Sequence, residues 1–195
     1  MNDRLPRTAT ALMLTAVFIA TFVDGLDSSI ISIALPFIAT DLSIDAALAS
    51  WISVIYMLVL ASALIVFARL AADTGVRRIM IVGLAVFTAA SLLCSLSTTF
   101  PMLLAARFVQ GVGAAMIAAA GPICCTQHLP ARSLGFGMAV ITVGSAMGFA
   151  FGPALGGIIL GFASWHWIFL INLLPGIVGI AAAAVPIPRT LARKP

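Results

Sequence analysis

The sequence predicts an all-α integral membrane protein of six transmembrane helices, with both termini in the cytoplasm. Three observations lead there. Of the 195 residues, 63% are apolar and 8% charged, and the mean hydropathy is +1.21, so there is too little polar surface to cover a soluble globule. Six apolar segments reach the roughly 20 residues that a helix needs to cross about 30 Å of hydrocarbon. Nine of the ten Lys and Arg residues fall at the ends of the chain or in alternate connections, which puts them on one side of the membrane.

The expected spans are about 10–37, 47–68, 78–97, 101–126, 134–160 and 166–186, and the whole of 1–195 reads as one six-helix transmembrane domain. Pro36 with Asp41 and Asp45, the charged stretch Arg69–Arg78, Pro101, Pro130 with Arg132, the turn at Gly161–Ser164, and Pro186 with Pro188 punctuate them. Short connections make sequential helices antiparallel neighbours. Arg4 and Arg7 precede the first span. Arg69, Arg77 and Arg78 lie between the second and third, Arg132 between the fourth and fifth, and Arg189, Arg193 and Lys194 after the sixth. The opposite connections hold Asp41 and Asp45 but no Lys or Arg, so the positive side is the cytoplasmic side of a plasma membrane.

Other classes are poorly supported. A pI near 9.6 invites a nucleic-acid reading, but the cations are scattered between apolar runs and form no basic stripe with interleaved aromatics. Cys94, Cys124 and Cys125 lie in or beside apolar runs without metal-ligand spacing and read as small packing residues. The first apolar run resembles a signal peptide, yet it continues through Asp24 and Asp27 to Pro36 with no clear cleavage site, so it is expected to be retained. No nucleophile with a base, metal cluster or phosphate loop supports an enzyme, and neither a cofactor nor a metal is expected.

Asp24, Asp27 and Arg107 stand inside spans, where a charge costs about 2.5–3.5 kcal/mol on insertion scales and marks a pathway or a partner. Thr21, Asp24, Ser28 and Ser32 recur at helical spacing, placing a polar stripe on one side of the first helix with Asp27 beside it. At 1.5 Å per residue, Asp24 and Asp27 come roughly 21 and 25 Å above Thr10, and Arg107 lies about 9 Å in from Pro101 at the opposite edge. The three are therefore at depths where they can meet. One reading is a static ion pair that locks two helices. The other is a proton site, because burial favours the neutral carboxyl, a nearby Arg favours the charged one, and a change of pairing loads or releases a proton. Asp27 is the first choice for the carrier.

Several motifs, in order along nearly the whole chain, resemble the N-terminal half of the major facilitator superfamily, most closely its drug:proton antiporters of the fourteen-span branch. Leu26-Asp27-Ser28-Ser29-Ile30-Ile31-Ser32-Ile33-Ala34-Leu35-Pro36 is similar to that branch's L-D-x-T-I-V-N-V-A-L-P, with the acid kept. Ala68-Arg69-Leu70-Ala71-Ala72-Asp73-Thr74-Gly75-Val76-Arg77-Arg78 resembles the cytoplasmic gating loop G-x-L-A-D-R-x-G-R-K-x, with Asp73 one place late. An ordinary positive-inside turn at Gly75 is the alternative there. Arg107-Phe108-Val109-Gln110-Gly111-Val112-Gly113-Ala114-Ala115 matches R-x-x-Q-G-x-G-A-A throughout. Gly144, Gly148, Gly152-Pro153 and Gly156-Gly157 match the antiporter array G-x-x-x-G-x-x-x-G-P-x-x-G-G, for which a plain packing face is the alternative. Trp165-His166-Trp167-Ile168-Phe169-Leu170-Ile171-Asn172 is similar to W-R-W-I-F-x-I-N, and its paired Trp read as interfacial anchors.

The resemblance implies proton-driven efflux of small apolar or cationic compounds, with the proton gradient as energy source. Asp27, Arg107 and Asp24 would serve proton coupling, Gln110, Gly111 and Gly113 the fourth-helix motif, and Asp73, Gly75, Arg77 and Arg78 the cytoplasmic gate. The expected partners are protons, a small-molecule substrate, the lipid bilayer, and a second six-helix half or a second copy of the chain. A split or truncated fragment inactive without a second half, and a proton-coupled metabolite symporter, are the alternatives.

Overall fold

The computed structural model describes residues 7–184. Arg4, Pro186, Pro188, Arg189, Arg193, Lys194, the side chain of Arg7 and the end of the sixth expected span lie outside the described residues. The chain folds into α1 (Arg7–Asp41), α2 (Ala46–Thr74), α3 (Val76–Ser95), α4 (Phe100–His128), α5 (Leu134–Phe162), α6 (His166–Leu170) and α7 (Leu173–Ala184), with a 3-10 turn at Ala131–Ser133. Six helical segments are long and apolar enough to cross a membrane, α6 and α7 forming the sixth together. There is no strand among the described residues.

Helix ends follow local chemistry, and the first, second and sixth helices depart in instructive ways from the spans expected from hydropathy. Pro36 does not end the first helix: α1 runs on to Asp41, with Thr40 Oγ1 donating to Pro36 O at 2.9 Å. The carbonyl that Pro36 leaves without its helical N–H is that of Ser32, one turn earlier, and the helix runs on across this single missing bond. The segment Arg69–Asp73, expected as part of a loop, continues α2 as far as Thr74. What breaks the helix there is Gly75 alone, at φ 97°, after which α3 starts at once. That backbone angle is open to glycine and strained for other residues. Asp45 caps α2 by accepting from Leu48 N at 2.7 Å, and Pro101 sits in the first turn of α4, where its missing N–H costs no hydrogen bond. The sixth span, expected as continuous, is interrupted at Ile171 and Asn172. Pro175, four residues after Ile171, has no N–H to offer the Ile171 carbonyl, which accounts for the break.

α4 lies at the centre, packed on α2 and α3, while α1 packs on α5 and α7 and closes the bundle against α4 and α2. Two apolar cores fill it. One joins Met13, Val17, Met80, Leu84, Phe87, Ile117 and Cys124. The other joins Ile30, Ile38, Ile52, Leu103, Ile168 and Phe169. On α1, α3 and α4 the switch from one core to the other falls at Asp24–Asp27, Ser91 and Arg107–Gln110 respectively. A polar layer therefore separates the two cores.

Candidate functional site

The layer is built on five elements. Asp27 of α1 accepts from three donors: Arg107 Nη1 at 2.5 Å on Oδ2, and Gln110 Nε2 at 2.9 Å and Asn172 Nδ2 at 2.8 Å on Oδ1. Gln110, one helical turn beyond Arg107, also donates from Nε2 to Ser91 Oγ at 2.9 Å, and its Oε1 accepts from Arg107 Nη1 at 2.7 Å. Arg107 Nε donates to the Ile52 carbonyl of α2 at 3.2 Å. Both Asp27 and Arg107 are 0% exposed, and no other ion pair occurs among the described residues. Asn172 enters from the break between α6 and α7, so the interruption of the sixth span brings its amide to the carboxylate.

Asp24 is placed differently. It is partly exposed, and its Oδ1 accepts a hydrogen bond from Tyr56 Oη of α2. The Tyr56 ring stacks on the Arg107 guanidinium at 4.2 Å, with the Phe169 ring further off at 5.9 Å. Tyr56 thus stands between the two acids' systems, its ring on the cation of one and its hydroxyl on the carboxylate of the other. Thr21 is buried and bonds back to Val17 O at 3.0 Å, and Ser32 bonds back to Ser29 O at 2.5 Å. The polar stripe read from spacing is consequently not a continuous lining. Asp24 is its charged member, and Thr21 packs toward α5.

The glycines set how close the helices lie. A methyl group added at Gly113 would fall 2.6 Å from Phe87 N of α3, and one at Gly111 would fall 2.9 Å from Tyr56 O of α2. Both neighbours of α4 press on it through this motif. Gly144, Gly148, Gly152 and Gly156 form the buried face of α5 against α1: a methyl at Gly148 would fall 2.6 Å from Leu26 N, and one at Gly25 opposite would fall 2.6 Å from Ser145 O. Gly157 has open space around it and Pro153 is exposed, so these two members of the array stand off the seam. Asp73, Gly75, Arg77 and Arg78 lie at the far end of the bundle from Asp41, and the structure does not bring them to the charge cluster. Arg77 Nη2 donates to the Ala184 carbonyl at the end of α7, while Asp73 and Arg78 are exposed.

Tyr56, Asn172 and Ser91 were not picked out from the sequence as site residues. Tyr56 is the chain's one tyrosine and Asn172 the one asparagine inside an apolar run, which was the available signal. The Trp pair also divides. Trp165 is 3% exposed and donates from Nε1 to Asp41 Oδ2 at 2.8 Å, so it ties α6 to α1 rather than resting in lipid, whereas Trp167 is 57% exposed.

A six-helix bundle with an acid of the first helix paired to an arginine of the fourth invites comparison with known proteins. The family model described as Major Facilitator Superfamily matches residues 17–195. This chain belongs to the major facilitator superfamily. As a member, it is a multi-pass membrane protein. It is 37% identical over 180 residues to a protein named putative multidrug resistance protein MdtD from Escherichia fergusonii, covering 92% of this chain and 38% of that one. A protein of the same name from Salmonella paratyphi B is 37% identical over 179 residues, with the same coverage. Among solved structures, a bacterial homolog of the human lysosomal transporter Spinster, in an inward-facing and occupied conformation, superposes with a TM-score of 0.81 at 17% identity. That match covers 95% of this superfamily member and 46% of the solved chain. The chain thus spans less than half the length of the relatives it matches.

Proposed function

We propose that this chain is a six-helix half of a proton-coupled efflux transporter that exports small apolar or cationic compounds across the cytoplasmic membrane. The observation that carries the reading is the Asp27–Arg107 pair, buried at the level of the membrane between two apolar cores. Burying such a pair costs several kcal/mol per ion before the mutual attraction is counted, and ionisable groups in spans sit where ions or protons pass. Relatives named as multidrug resistance proteins support small organic compounds as the cargo.

In this reading Asp27, Arg107 and Asp24 form the proton-coupling cluster, held by Gln110. Gly111 and Gly113 seat α4, and the glycine face from Gly144 to Gly156 lets α1 and α5 shift against each other. Asp73, Gly75, Arg77 and Arg78 gate the cytoplasmic end. Both termini are cytoplasmic, a topology supported by the gathering of Arg69, Arg77, Arg78 and Arg132 at one end of alternating helices and of Asp41 and Asp45 at the other. The substrate cavity lies between this half and a second six-helix half. Large apolar side chains left uncovered on α2 (Leu58, Ile65, Val66) and α5 (Phe136, Phe149, Ile158) fit contact with lipid and with such a half.

The test is transport in liposomes under an imposed pH gradient, with the chain alone and with a second half supplied. A fluorescent lipophilic cation should move against the proton flux, and Asp27→Asn or Arg107→Ala should lower the coupled rate by at least about tenfold. If the cation does not move under either condition, the efflux reading fails. If it moves equally well in both variants, the coupling assignment fails instead.

A further inference from the structure

We propose that Asp24, gripped by Tyr56, is the carboxylate at which a proton and a monocationic substrate exchange, while Asp27 remains paired with Arg107 as a fixed counter-charge. The inference rests on the efflux reading above and names the acid that does the exchanging. It departs from the motif resemblance, which pointed to Asp27.

Geometry separates the two acids. Both oxygens of Asp27 are occupied, one by Arg107 and the other by Gln110 and Asn172, and the residue is fully buried. Three of its roughly four acceptor positions are taken, and the carboxylate is shut off from water beside the Arg107 guanidinium, which disfavours an arriving proton or cation. Asp24 holds one bond, from Tyr56 to Oδ1, and the residue is partly exposed. Its second oxygen accepts no hydrogen bond among the described residues.

Charge counting gives the exchange its stoichiometry. The cluster holds two acids and one arginine, so with Asp27 matched by Arg107 one negative charge is left over on Asp24. In a low-dielectric layer that surplus is balanced by one proton or by one monocation, and both together would overshoot. When the cation arrives, the proton leaves the Asp24 oxygen for water, and the net charge is unchanged. The groups facing Asp24 are Tyr56 from α2, Arg107 from α4 and Asp27 on its own helix. α5 and α7, also packed on α1, carry no titratable side chain. Tyr56 is a positioning residue: its hydroxyl aims the Asp24 carboxylate, and its ring on Arg107 senses the paired charge next door.

Infrared difference spectroscopy on the purified protein in lipid tests this directly, through the carbonyl stretch of a protonated carboxyl that appears on acidification. Asp24→Asn keeps an oxygen for the Tyr56 hydroxyl, so it preserves the fold while removing the acid. The band should be present in the wild type, be lost in Asp24→Asn, and disappear from the wild type when tetraphenylphosphonium is added. Asp24→Asn should also weaken tetraphenylphosphonium binding by at least about tenfold. Tyr56→Phe should move the pH at which the band is half-formed, which a purely structural tyrosine would leave in place. A band that persists in Asp24→Asn, or that tetraphenylphosphonium leaves untouched in the wild type, overturns the proposal. The parent reading fails separately: displacement without pH-driven flux in liposomes sinks efflux and leaves Asp24 as a cation site, whereas flux without displacement sinks only Asp24.

Discussion

Arg107 has the largest fully buried side chain among the described residues, and its surroundings show why it can be there. Nη1 serves Asp27 and Gln110, Nε serves the Ile52 carbonyl, and Nη2, which has no hydrogen-bond partner, belongs to a guanidinium lying on the Tyr56 ring. A desolvated cation–π contact is worth about 2 kcal/mol, which offsets part of the missing bond. Arg107→Ala would leave Asp27 buried without its counter-charge and should cost about 3–5 kcal/mol. Thermal unfolding in detergent reads this as a large fall in midpoint. The double variant Asp27→Asn with Arg107→Ala should lose less than the sum of its single changes, because it strands no charge. The two charged residues were legible in the sequence because ionisable groups in apolar runs are rare and costly. Tyr56 was not, since an aromatic in such a run is ordinarily a packing residue. Its role arises only because α2 crosses α4 at Gly111, which sets the tyrosine against Arg107.

At the scale of elements, turns and seams depend on single glycines. Gly75 turns the chain from α2 into α3 at a positive φ, so Gly75→Val should destabilise by about 1–3 kcal/mol through backbone strain, although the position is only partly buried. Circular dichroism melts would show it, and an unchanged midpoint would contradict the strained-turn account. Gly148 faces the α1 backbone with no room for a side chain, so Gly148→Leu should cost about 1–3 kcal/mol or force α1 and α5 apart. Gly157, beside open space, should accept alanine with little change in the same assay. Hydropathy located all six spans but missed the end of α2 and the interruption of the sixth, because apolar length says where a helix enters lipid and not where its hydrogen bonding stops. α2 continues six residues beyond the expected end at 68, through a charged stretch, to Thr74. Helical hydrogen bonds tolerate charged side chains once these reach water. The break at Ile171 and Asn172 was hidden inside an apolar run for the opposite reason: composition does not register a missing backbone donor.

For the whole molecule, alternating helix direction gathers the connections at two ends, and the charge asymmetry between those ends predicts an orientation. A membrane-impermeant maleimide applied to intact cells should label Thr98→Cys and not Arg132→Cys, and the reverse pattern would invert the topology. Background should be low, because Cys94, Cys124 and Cys125 are all buried. By itself the sequence determined that the chain belongs in a membrane, that it holds six segments of membrane-spanning length, that its cations fall in alternate connections, and which family it resembles, because these depend on composition and on order along the chain. The tertiary structure alone decided which acid faces Arg107, that Tyr56 links Asp24 to Arg107, that Asn172 reaches the cluster through a broken helix, and that four glycines of α5 form a seam on α1 from which Gly157 and Pro153 stand apart. Those outcomes depend on how far each helix rotates about its axis and where it crosses its neighbours. That is set by packing many side chains at once, and no local pattern of residues encodes it.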